Sequence, residues 1–212
     1  MNKSVSLFTF CAFGPQATHW ISVILIFCLM SFGCSDDPEI DITAVEKRQS
    51  QGWAAYDKGD FSAALLHFQR VIELDATRAD AHNGMGWTHL SMTHAPAMAP
   101  EILAKAQRAF EAAIRSDASS ADAWVGLANT LFLRRESASD FQIALRAIEN
   151  GLKRDQQTLF RHDYQSVADL HALRAACYYY LGQTNLARTT VDRALQTEPS
   201  NTAALSLQNL LK

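Results

Sequence analysis

The sequence predicts an all-α fold: a stack of helix hairpins closed at its end by one further helix. Three observations predict it. A small residue followed by larger apolar ones recurs along the chain, and Gly52 and Gly86 in that pattern lie 34 residues apart. Apolar residues fall at i, i+3, i+4 and i+7, one face of a helix, while strand-like alternation is scarce. The 212 residues are 48% hydrophobic and hold only five prolines and nine glycines, so a sizeable core is available and a disordered chain is disfavoured. The net charge is −3 and no basic run occurs, so the electrostatic footprint of a nucleic-acid binder is absent.

Residues 1–33 read as an export segment. Lys3 and His19 are their only ionisable side chains apart from cysteine, and Trp20 to Met30 is a compact apolar run. That length suits the core of a signal peptide and is short for a membrane span. The run ends at Ser31-Phe32-Gly33-Cys34. This resembles the lipobox of bacterial lipoproteins, in which a small residue precedes a cysteine that becomes the lipidated N-terminus. Gly33 fits that pattern; Ser31 and Phe32 depart from it. The resemblance implies lipidation at Cys34 and a polar tether over 34–44. Ser35, in place of the aspartate that retains such proteins in the inner membrane, implies the outer membrane, facing the periplasm. Ordinary secretion and an uncleaved N-terminal anchor are the alternatives. Cys11 and Cys28 would leave with the signal, so Cys177 remains as a small packed residue and no intrachain disulfide framework is possible.

The first hairpin spans about 45–78. Gly52 and Tyr56 precede the turn Lys58-Gly59-Asp60, and Ala64, Phe68 and Val71 follow on a second helix. Arg48 and Gln51 make its first helix irregular. The second unit, 79–120, carries Gly86, Trp87 and Leu90, then Ala106, Phe110 and Ala113. The step from Ala64 to Ala106 is 42 residues, which places an insertion around Pro96 and Pro100 inside the unit. The third unit, 121–158, has Ala128, then Ala144, Ile148 and Gly151. A linker with Phe160, His162 and Tyr164 follows. The fourth unit, 168–201, holds Ala175, Ala187, Val191 and Ala194. Leu205, Leu207, Leu210 and Leu211 give the segment 201–211 an apolar face, with Ser200 or Asn201 as the N-cap.

The recurring small-residue centre on the first helix, with Ala-x-x-x-aromatic or aliphatic-x-x-small on the second, resembles the tetratricopeptide repeat (TPR). The resemblance covers about 45–212. It implies a right-handed α-solenoid of helix hairpins with a C-terminal capping helix. It also implies a concave groove lined by the first helices. Repeat positions 2, 5, 9, 12 and 13 face that groove, and mapped here they give an aromatic, mildly acidic surface. The partner-binding residues expected on it are Trp53, Tyr56, Asn83, Trp87, Asn129, Phe132, Tyr179 and Tyr180.

Chemistry has little support. His82 and His89 are seven apart on one helix face, but they occupy repeat positions used for packing, so they read as structural rather than as metal ligands. No nucleophile elbow, phosphate loop or paired-cysteine site occurs. Carboxylates such as Asp80 and Asp122 sit at helix starts, where they favour the dipole. The expectation is a non-catalytic protein with no cofactor, no metal and no nucleic-acid partner. It would be a scaffold or adaptor of the bacterial cell envelope, binding a protein partner's peptide or helix in the groove. The resemblance extends to TPR lipoproteins of pilus assembly, outer-membrane assembly and cell-wall hydrolase recruitment. The alternative is an accessory protein that binds a small ligand or glycan on the aromatic groove.

Overall fold

The computed structural model describes residues 41–93, 99–154 and 164–212. Cys34, the export segment, most of the tether and most of the 155–166 linker lie outside them. Nine helices occur among the described residues: α1 (Ile42–Asp57), α2 (Phe61–Leu74), α3 (Ala79–Ser91), α4 (Ala99–Ser116), α5 (Ala121–Arg134), α6 (Ala138–Leu152), α7 (Val167–Tyr180), α8 (Thr184–Thr197) and α9 (Thr202–Leu210). None is long and apolar enough to cross a membrane.

Local signals in the sequence start and stop these helices. Asp60 accepts a hydrogen bond from the Ala63 amide at 3.1 Å and caps α2. Ser120 caps α5 through the Ala123 amide, and Asn201, not Ser200, caps α9 through the Ala204 amide at 3.0 Å. An acceptor at this position satisfies one of the four amides that a helix start leaves without a partner. Asp41 does the same for α1, which therefore begins at Ile42, inside the stretch read as tether. The tight turns after α1 and α7 place Gly59 and Gly182 at φ of 75° and 71°, where a side chain would be strained.

The helices pair in order as α1/α2, α3/α4, α5/α6 and α7/α8. Each second helix also packs on the first helix of the next pair, and α9 covers α7 and α8. This is the expected TPR α-solenoid with its capping helix. The motif residues are its core: Ala64, Ala106, Ala144 and Ala187 are buried, and so are Phe68, Phe110, Ile148 and Val191 four residues on. The small residues on the first helices have a steric reason. A Cβ at Gly52 would stand 2.6 Å from the Phe68 ring, and one at Gly84 would meet the same ring. Gly86 and Gly126 clamp Phe110 in the same way. Each phenylalanine therefore sits between the glycine of its own unit and the glycine of the next. Burying one such ring contributes about 1.5–3 kcal/mol.

Polar contacts fix neighbouring units against one another. The Asn83 amide donates to Asp122 Oδ2 at 2.7 Å, joining α3 to α5 inside the core. Arg134 at the end of α5 donates to both carboxylate oxygens of buried Asp140 at the start of α6 and to Gln107 on α4. That guanidinium holds the Asp140 carboxyl below its usual range. At the far end, Asn201 donates to Asp169 at 2.7 Å, which ties the capping helix to the start of α7.

Candidate partner-binding groove

The first helices α1, α3, α5 and α7 supply the residues expected to face a partner. The structure divides them into two groups. In the first two units the rings are engaged within the protein. Trp53 Nε1 donates to Asp80 Oδ2 at 2.8 Å, and its ring lies edge-on to Phe68 at 5.1 Å and to Tyr56 at 5.6 Å. The Tyr56 hydroxyl shares a hydrogen bond with Ser91 at 3.1 Å. Both rings are half-buried. Trp87 is 1% exposed, packed edge-on against Phe110 at 5.4 Å and against Tyr164 at 6.5 Å.

Two of the expected groove residues are therefore corrected. Trp87 and Asn83 are core, not surface. Asn83 turns inward to satisfy Asp122, because a buried carboxylate needs a donor and α3 is close enough to supply one. Trp87 is closed over by Tyr164, which reaches it from 77 positions further along the chain. Repeat numbering gives the direction a side chain leaves its helix; it carries no information about a residue from another segment that covers it. Tyr164 is itself 8% exposed, and the sequence singled it out only as part of a linker.

The last two units differ. Asn129 and Phe132 on α5, and Tyr179 and Tyr180 on α7, line a single cleft of about 560 Å³. Leu207 and Leu210 of the capping helix also line it, as does Tyr164. Tyr180 stacks on Phe141 at 5.2 Å with the planes 5° apart, and Phe132 meets Tyr180 edge-on at 5.9 Å. These ring contacts hold the aromatic wall in place at little entropic cost on binding. The wall remains open to solvent: Tyr180 is 51% exposed, Tyr179 36% and Leu210 65%. Exposed apolar side chains grouped in a concavity mark binding surfaces more often than isolated ones do. The contribution of Leu210 was not expected from the sequence, where its stripe read only as a cap.

His82 and His89, read as structural, lie on one face of α3, where His82 Nε2 meets the Ala76 carbonyl at 2.9 Å. They are half-buried at a surface cleft beside Met85. Burial, with Lys105 and Arg108 nearby, pushes the His89 pKa down to about 4. Cys177 is buried, and burial pushes its thiol up to about 12, so it is an unreactive packed residue. Among the described residues no group of three histidine, cysteine or acidic side chains could hold a metal ion.

The comparisons with known proteins agree with this architecture. The tetratricopeptide repeat family matches residues 50–91 and 103–151. No curated protein matches the chain in sequence. Among solved structures, the crystal structure of MamA protein superposes with a TM-score of 0.61 at 17% identity, covering 79% of this chain and 80% of that one. Pseudomonas aeruginosa PilF gives 0.60 at 14% identity, covering 80% and 68%. A thermophilic TPR protein of Thermus thermophilus, TTC0263, gives 0.55 at 12% identity, covering 92% of each. At these identities the likeness is one of fold. The chain thus carries tetratricopeptide repeats and, over its described residues, folds as a TPR solenoid.

Proposed function

We propose that the protein is a non-catalytic scaffold that captures an apolar segment of a partner protein, an amphipathic helix or an extended peptide, in the groove between α5, α7 and α9. One observation carries this reading: the pre-ordered aromatic wall of half-buried Phe132 and exposed Tyr179 and Tyr180, which lines one cleft with Leu210. A few large rings in a concavity supply most of the affinity in such complexes, and a helix would present anchors at i, i+3, i+4 and i+7. Asn129, at the same cleft, supplies a polar group that orients the segment.

The proposed setting is the bacterial cell envelope, with Cys34 lipidated and 35–41 as the tether. The support is the apolar run Trp20–Met30 followed by Gly33-Cys34. Labelling cells with a fatty-acid analogue tests the anchor: label should be lost on Cys34→Ser, and label retained in that variant contradicts it. The groove is tested by a Phe132→Ala/Tyr179→Ala/Tyr180→Ala variant in crosslinked pull-down from the native envelope. The variant should keep its helical circular dichroism and lose the partner; full capture by a folded variant contradicts the reading.

A further inference from the structure

A second cleft, of about 720 Å³, opens on the other side of the solenoid from the first-helix groove, between the second helices α2 and α4 with α3 as its floor. Its body is apolar: Leu65 and Ile72 come from α2, Met85 from α3, and Ala109 and Ala112 from α4. The two alanines leave the space that larger side chains would fill. Along α4 the lining runs from Lys105 to Ala112, a rise of seven residue steps, so the cleft is roughly 10 Å long.

Its charge is placed on one wall. Lys105 and Arg108 are exposed, one turn apart on α4, and neither makes a hydrogen bond or ion pair among the described residues. On the opposite wall, Glu73 is already engaged by Arg70 at 2.6 Å. His82 and His89 stand between the walls; His82 meets the Ala76 carbonyl at 2.9 Å. With its pKa near 4, His89 is neutral at physiological pH and keeps one ring N–H to donate. An acidic amphipathic helix would want cations along both walls. One cationic wall over a short apolar trough suits a single anionic head with a hydrocarbon body.

We propose that the α2–α3–α4 cleft binds a medium-chain amphiphilic carboxylate, its head at Lys105 and Arg108 and its chain along Leu65, Ile72, Met85 and Ala109. The site is separate from the aromatic groove and uses none of its residues. Octanoate, whose extended chain matches the cleft in length, is the probe.

Isothermal titration of the full-length protein with octanoate should show saturable one-to-one binding. Acetate should show none, and 1-octanol should bind about tenfold more weakly, a difference of about 1.4 kcal/mol. Lys105→Ala/Arg108→Ala, at exposed positions, should weaken octanoate by about tenfold and leave octanol unchanged. Ala112→Phe, which fills the trough, should abolish both. Octanol binding as tightly as octanoate, octanoate affinity unchanged in the double variant, or no saturable octanoate binding would each overturn the assignment. The double variant keeps the test decisive if Ala112→Phe does not fold.

Discussion

The two halves of the concave face begin with the same kind of residue and end with different surfaces. In the first two units, Trp53, Tyr56 and Trp87 are used inward, against Asp80, Ser91, Phe110 and Tyr164. In the last two, Phe132 and Tyr179 meet Tyr180 edge-on and Tyr180 stacks on Phe141, with Tyr179 and Tyr180 left open to solvent. The difference does not lie in the amount of aromatic surface. It lies in what covers it. Tyr164 closes the middle of the face, and the short capping helix covers the last repeat only in part, leaving Leu210 65% exposed beside Tyr179 and Tyr180. A repeat position thus becomes a structural or a binding residue according to its neighbours in space.

The largest test of that contrast is stability. Trp87→Ala should cost about 3–5 kcal/mol in denaturant unfolding, because it empties a core site beside Phe110. Tyr179→Ala should stay within about 0.5 kcal/mol of the parent, as surface substitutions do. Equal costs would break the division into a packed half and an open half.

Tyr164→Ala sharpens it further. Removing a ring that is 8% exposed should cost about 2–4 kcal/mol. It should also make Trp87 accessible, read as stronger acrylamide quenching of tryptophan fluorescence. Quenching unchanged in a folded Tyr164→Ala protein would show that Tyr164 is not the cover.

The smallest expected effect is on pH dependence. Each half holds a histidine whose pKa is pushed down by burial, His89 on α3 and His171 on α7. The unfolded chain binds these protons first, so stability is full above pH 6.5 and falls as pH drops toward 4, where folded His89 also protonates. His89→Gln should flatten that part of the stability–pH curve. A parent curve that is already flat between pH 6.5 and 4 would contradict the burial of both rings.

Much of the fold was legible in the sequence because steric necessity leaves a local trace. Ala64, Phe68, Ala106 and Phe110 recur at helical spacing since each phenylalanine must fit between two glycines, and the pattern reports that fit directly. The candidate site was legible only in part. Phe132, Tyr179 and Tyr180 came from repeat register alone. Trp87 and Asn83 were misread, because their burial depends on Tyr164 and Asp122, which lie 77 and 39 positions away. The cleft at Lys105 and Arg108 left no motif, since it is formed by three helices that each contribute ordinary residues.

Site-specific photo-crosslinking in cells that make the protein tests the central claim most directly. A photoreactive phenylalanine at position 180, inside the α5–α7–α9 groove, is compared with one at position 66, where Leu66 is 67% exposed on α2. One discrete partner adduct is expected at position 180 and none at position 66. Adducts of equal yield at both positions, or an adduct at position 66 alone, would contradict the assignment of the aromatic groove as the partner site.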